Sequence, residues 1–389
     1  MSVMKHIRLL NPAVVFVLLL GLAVSCKSVP SESIKIAIMG PLSGNVKPFG
    51  EANRDGALLA IEEWNARGGV LGSPVEAVLE DCIFDSMQAI AEVTTEVIEE
   101  DEVHFIIGGI AHDAIIMSRI ANPRKVLHIS ASSPDYLVTV DEEGRNKPYS
   151  FRAVPLDASM AKAVAVFAIE ELGAHTAGVL YNEEDDIETH YAEWFRDGFQ
   201  ERGGIVSIFE PYDRTAYTHA HEYPWDSLSK VADADCDVLF LPGYSPVVNR
   251  IAEQAKEKSI SATLLGSDAW DVSPQLDLKS LEGSYYWSRY SSTDPRDMVQ
   301  DFIIAYEDKY GIEPDAYAAL AYDAANILLQ AIAEAGTADP GQVKDAVMGL
   351  KFEGITGGGT FDQFGNPVKE VAIVKIEGGR AVFHEFVTP

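Results

Sequence analysis

The sequence predicts an α/β protein built as two doubly wound lobes that face a cleft. Short β-branched runs alternate with stretches of helical period through two successive blocks. The predicted strands end in Gly, Ser or Asp loops, the place where open α/β sheets bind ligands. The chain has 389 residues, 47% hydrophobic and 23% charged, enough for two globular domains of ordinary size.

The first block opens with Ile34-Lys35-Ile36-Ala37-Ile38-Met39, an apolar run short enough for a buried strand. The loop Gly40-Pro41-Leu42-Ser43-Gly44 leads into a helix whose Ala57, Ala60, Ile61 and Trp64 share one face. Gly68-Gly69 stops that helix, since glycine takes the left-handed position beyond a C-cap without penalty. Val75–79 is the next strand. A loop before a helix suits a carboxylate or phosphate, but the spacing here is neither G-x-G-x-x-G nor the Walker loop, and a plain turn is the other reading. A helix near 86–99, a strand over 104–109, a helix near 113–121 and a strand over 126–130 continue the alternation. The polar loop Ser130-Ala131-Ser132-Ser133-Pro134-Asp135 and the extended YSFRAVP at 149–155 follow, the latter suited to a crossover.

The second block repeats the pattern. Helices are expected over 158–172 (with its N-cap region at Asp157-Ala158-Ser159), 191–202, 225–232 and 247–258, and strands over 176–181, 205–209, 238–241 and 263–265. From Leu281 the aromatic GSYYWSRYSS reads as a second crossover. Helices over 295–310, 315–335 and 341–348 and strands over 359–361, 371–376 and 381–387 finish the chain.

The N-terminus is an address. Lys5 and Arg8 precede the apolar run 13–24, which ends Leu22-Ala23-Val24-Ser25-Cys26, the pattern of a cleaved signal peptide. That run is short for a membrane span, and no later segment is expected to cross a bilayer. The formal charge of −30 disfavours nucleic acid and anionic lipid surfaces as partners. Cys82 and Cys236 lie far apart, and two buried free thiols are expected rather than a disulfide.

A search for catalytic chemistry finds no H-E-x-x-H, no G-x-S-x-G and no C-x-x-C. Ser159–Lys162 and Ser227–Lys230 match S-x-x-K by chance inside amphipathic helices. His219-Ala220-His221 has a metal reading and a solvated-loop reading, the latter preferred. Glu183-Glu184-Asp185-Asp186 is either a solvated charge run or a contact for a cation or amine. Without a nucleophile–base pair the chain reads as a binder with no cofactor, not an enzyme.

Several blocks together resemble the leucine-, isoleucine- and valine-binding proteins, lipoprotein or periplasmic receptors of branched-chain amino-acid ABC transporters. They are IKIAIMGPLSGNVKPFGEANRDGALLAIEEWNARGGVLG, FIIGG, HISASSPDYL, YSFRAVPLD, DVLFLPGYSPVVNRIAEQAKEKSISATLLGSD and EPDAYAALAYDAANIL, in order from Ile34 to the C-terminus. The resemblance implies a type I periplasmic-binding fold with three crossovers, a small amino-acid ligand, and delivery to an ABC permease. A ligand sensor acting on a signalling partner is the alternative role for the same fold. The implied division is a lipoprotein signal peptide over 1–25 with lipidation at Cys26, a tether over 26–33, lobe 1 over 34–151 plus 283–362, and lobe 2 over 152–282 plus 363–389. The implied location is extracytoplasmic, anchored to a bacterial membrane.

In that family hydroxyl and backbone groups of lobe 1 hold the ligand carboxylate, and an acid of lobe 2 holds the ammonium. Carried over, Ser132 is the hydroxyl, with Ser130 and Ala131 beside it. Phe49 is the aromatic flanking the side-chain pocket, Tyr244 and Asp268 meet the ammonium, and Tyr317 is the aromatic of the late lobe 1 helices. Charge-assisted bonds at both ends of a zwitterion make chemical sense. The chain departs from the family at His112, where a small hydroxyl residue is usual, at the acidic run after Asn182, and at Ala111, where half of a disulfide is missing. His112 still offers a donor to a carboxylate, and these changes admit a larger or more polar ligand.

Overall fold

The computed structural model describes residues 33–82, 86–212, 226–273 and 275–389. The signal peptide, Cys26, all of the tether before Ser33, and His219 and His221 lie outside the described residues. Ile34–Gly40 (β1) is buried on both faces because helices cover both, and so it reads as a continuous apolar run. It pairs in parallel with Val75–Asp81 (β2) and Phe105–Gly108 (β3). Leu127–Ser130 (β4) and Ser150–Arg152 (β5) extend the sheet in the order β2-β1-β3-β4-β5. Lys47–Ala66 (α1) packs on one face. Met87–Glu99 (α2) and His112–Ala121 (α3) cover the other, where Ile90, Val97 and Met117 meet Ala37 and Met39. Gly68 and Gly69 end α1 at φ +105° and +77°, and Gly69 sits so close to Ser73 O that a Cβ would fall 1.9 Å from it.

The second sheet has seven strands. Thr176–Asn182 (β6), Ile205–Tyr212 (β7), Val238–Leu241 (β8) and Thr263–Gly266 (β9) are parallel. Tyr285–Ser288 (β10) joins β9 in parallel and Val371–Glu377 (β13) in antiparallel, with Arg380–Val387 (β14) at the edge. Asp157–Glu170 (α4) and Asp186–Glu201 (α5) cover one face; Asp226–Ala234 (α6) and Val247–Glu257 (α7) cover the other. Asp297–Tyr310 (α8), Ala316–Ala335 (α9) and Pro340–Gly349 (α10) return to the first lobe, as does the hairpin Gly359–Phe361 (β11) with Pro367–Lys369 (β12). α9 is long and apolar enough to cross a membrane, but it is mostly buried and serves as a core helix. It lies against α1 with Gly56 at the contact, where a Cβ would stand 2.0 Å from Ala318 O.

The expected lobe boundaries shift at each crossover. Arg152 still pairs with Ser130 in the first sheet. Residues 285–288, expected in lobe 1, form the buried β10 of the second sheet, with Trp287 and Tyr286 in the two cores on its faces. Pro367–Lys369, expected in lobe 2, pairs back onto β11, whose Phe361 packs in the first core. A fully buried Trp287 cannot belong to an exposed connection; the crossover begins after Ser288.

The two thiols are free and buried, as expected; burial pushes Cys82 up to about 12. The S-x-x-K lysines lie on the outer faces of their helices, paired with Glu201 and Glu210.

Candidate functional site

A cavity of about 240 Å³ lies where the C-terminal ends of the second sheet face the start of α9. The turns after β8, β9 and β10 bring Tyr244, Asp268 and Arg289 to it, and α4 and α5 add Asp157 and Tyr191. From the first lobe come Ala316, Tyr317 and Leu320 of α9, and Pro134 of the loop after β4. Asp315 caps α9 by accepting Ala318 N–H at 2.9 Å, which fixes the first turn and with it Tyr317.

The polar residues form one connected cluster. Arg289 Nε donates to Asp268 Oδ2 at 2.7 Å, and its Nη2 stands 3.6 Å from Asp157 Oδ1. Tyr191 OH lies 3.2 Å from Asp157 Oδ1 and 3.5 Å from Asp268 Oδ1. Burial raises Asp157 to about 6 against the pull of Arg289. Burial also opposes the charge on Arg289, yet Asp268 and Asp157 outweigh it and raise its pKa. Behind them, Asp271 accepts Tyr286 OH at 2.7 Å and Ser288 Oγ at 2.5 Å, and burial pushes it up to about 7. Three acids around one arginine give this wall a net negative charge. Ile187 and Val272, both largely exposed, add apolar surface beside it.

Of the residues expected in the site, Tyr244, Asp268 and Tyr317 line the cavity. Phe49 stands next to it, 39% exposed, its ring 4.9 Å from that of Tyr317. Ser130, Ala131 and Ser132 are buried and do not line it; Ser132 Oγ accepts from Asn53 Nδ2 at 3.2 Å, and Ser130 Oγ accepts Ser133 N–H. His112 opens α3 with a half-exposed ring, 3.8 Å from Asp113 Oδ1. It follows Ala111 at φ +49°, a backbone position costly for a residue with a side chain, whose carbonyl accepts Ser133 Oγ at 2.7 Å. The loop after β1 is tied by the chain's own carboxylate: Leu42 N–H donates to Asp81 Oδ1 at 2.8 Å. In the acidic run, Asp185 caps α5 by accepting Ile187 and Glu188 N–H, and its neighbours Glu183, Glu184 and Asp186 are exposed.

Sequence reasoning missed Asp157, Tyr191 and Arg289. Asp157 was expected near an N-cap, but Leu156 holds that position without a side-chain bond, so the Asp157 carboxylate is available to the cavity. The signal for Arg289 was a lone cation in an aromatic, extended run. Among the described residues no group of three or more His, Cys, Asp or Glu side chains is placed to hold a metal.

The family model described as periplasmic binding protein matches residues 33–381. A leucine-, isoleucine-, valine-, threonine- and alanine-binding protein of Pseudomonas aeruginosa is 28% identical over 346 residues, 87% of this chain and 88% of that protein. A solved leucine-binding protein from Thermotoga maritima superposes with a TM-score of 0.65 at 27% identity, covering 92% of this chain and 99% of that one. The substrate-binding protein of a branched-chain amino acid transporter from Streptococcus pneumoniae, solved with isoleucine, gives 0.65 at 26%, covering 92% and 100%. The shared architecture and the length of these matches place the chain in the leucine/isoleucine/valine-binding protein family of periplasmic binding proteins.

Proposed function

We propose that this protein is the extracytoplasmic solute-binding component of an ABC importer, taking an amino acid or amino-acid-like molecule between its lobes and passing it to a permease. The observation that carries the reading is a cavity with acids on one wall, Asp157 and Asp268, and Tyr317 of the other lobe opposite. Relatives named as amino-acid-binding proteins support it. Tyr244, Asp268 and Tyr317 contact the ligand directly, with Phe49 backing Tyr317. Ser130, Ala131, Ser132 and His112 of the first lobe approach as the lobes close, a shift toward a state in which the ligand touches both walls.

A thermal-shift screen of the soluble protein from Lys27 onward, against amino acids, small amides, dipeptides and organic acids, tests this. A ligand that binds only the folded protein raises the melting temperature by mass action. A rise with amino acids supports the reading; a rise only with amine-free acids overturns the amino-acid assignment. The membrane anchor is proposed at Cys26 on the Leu-Ala-Val-Ser-Cys pattern. Cys26→Ser should abolish incorporation of labelled fatty acid and release the protein from membranes.

A further inference from the structure

The groups expected to take the ligand carboxylate do not line the cavity, whereas a cation does. Ser130 and Ser132 are buried away from the cavity, their hydroxyls held within the first lobe by Ser133 N–H and Asn53 Nδ2. Arg289 lines the cavity with its side chain 18% exposed. Its Nε is bonded to Asp268 and its Nη2 faces Asp157; among the described residues Nη1 has no protein acceptor. Two carboxylates thus hold the guanidinium in place from one side and leave part of its planar fork unused, the geometry that takes a carboxylate. The acids are not exhausted by this pairing either, because Asp157 and Asp268 share one arginine between them.

We propose that the second lobe alone holds the whole zwitterionic head of the ligand, the carboxylate on Arg289 and the ammonium between Asp157 and Asp268 near Tyr191. This deepens the amino-acid reading above and rests on it. A ligand carboxylate alone would add a negative charge to a wall already negative, and an ammonium alone would leave Nη1 of Arg289 without an acceptor. A zwitterion matches both and leaves the net charge unchanged. The remainder of the ligand then points to Ile187, Val272 and Leu320, an apolar surface that suits an aliphatic or aromatic side chain. Arg289 is therefore a ligand contact, and lobe 1 closes over the side chain rather than over the carboxylate.

The test is titration calorimetry of the wild-type protein with the twenty proteinogenic amino acids, then with the α-amide of the tightest binder. At about pH 6.5, below the α-amino pKa of about 7.7–8.0, the amide keeps the ammonium and side chain and replaces the charged carboxylate by a neutral amide. Wild type should prefer the acid by at least about tenfold, the scale of a charge-assisted bond. Arg289→Gln should bring acid and amide within about threefold of each other. Arg289→Lys, which keeps the charge and loses the fork, should bind the acid more weakly but still prefer it. Ser132→Ala and His112→Ala should shift acid and amide together, whatever they do to overall affinity, because neither group touches the carboxylate. A wild-type ratio near one overturns the proposal without any variant, as does a ratio that survives Arg289→Gln or disappears in Ser132→Ala or His112→Ala. Failure of every amino acid, and of the dipeptides and amides of the thermal-shift screen, to bind overturns the functional reading itself, a result distinct from these.

Discussion

Arg289 and Asp268 leave neighbouring strands at their C-terminal ends and meet across the cavity wall, Nε to Oδ2, at 2.7 Å. The acid expected to meet a ligand ammonium is therefore already paired, and its freedom to serve a ligand depends on the second carboxylate, Asp157.

Asp268→Asn keeps the shape of the side chain and removes its charge. Amino-acid affinity should fall about 10- to 100-fold, since a hydrogen bond to a charged group is worth about 1.5–3 kcal/mol. Stability should fall by about 2 kcal/mol as Arg289 loses its closest partner. Calorimetry and urea unfolding measure the two effects; unchanged affinity removes Asp268 from the ligand contacts.

Asp157 should give ligand binding a pH dependence. Its pKa in the folded protein is about 6, so the carboxylate that attracts an ammonium is lost as pH falls below that value. Dissociation constants measured from pH 8 to pH 5 should rise at the acidic end. In Asp157→Asn the curve should be weak and flat over the same interval.

Asp271 should lower stability on the alkaline side. Its folded pKa, about 7, stands above the ordinary carboxylate value, so the folded state holds the proton more tightly than the unfolded chain. The stability this provides is complete below about pH 4 and is lost as pH rises through 7. In Asp271→Asn the amide oxygen still accepts Tyr286 OH and the amide nitrogen faces Ser288 Oγ, which can donate to Tyr290 O instead. Melting temperatures at pH 8 should be higher in the variant than in wild type, and the gap should close toward pH 5.

Buried polar groups also tie α9 to the crossovers. Asp323 accepts Ile355 N–H at 2.8 Å and Thr356 N–H at 2.9 Å, and Lys369 Nζ lies 4.0 Å away while donating to Ala153 O. Burial lowers Lys369 to about 8 despite Asp323. Asp323→Ala strands these donors and an uncompensated cation at a site about 1–3% exposed, at a cost of about 3–5 kcal/mol. Chemical denaturation should show that loss, and Lys369→Met in the same background should recover part of it.

The repeated alternation of apolar runs and helical stretches made most elements legible in the sequence, because each strand's burial and each helix's buried face leave a local trace. β12 was not foreseen: Pro367-Val368-Lys369 is too short to show a period, and only its pairing with β11 defines it. Tyr285–Ser288 was foreseen as extended but not as an interior strand, since its position between β9 and β13 depends on residues far along the chain. Of the residues that line the cavity, Asp268, Tyr244 and Tyr317 lie in motifs that the sequence offers. Arg289 and Asp157 do not, because their significance is mutual: each comes to the cavity wall beside the other only through the fold.

The interior place of β10 also governs how the protein can be made. The second sheet begins at Thr176 but gains its antiparallel strands only from β13 and β14, close to the C-terminus. The first core likewise waits for α9, α10 and β11 to cover strands laid down from Ile34 onward. A chain emerging in order from a ribosome or a translocation channel therefore carries two open cores until its last quarter is available. Such late, non-local closure slows folding, so neither core can be completed before the last quarter of the chain has been made.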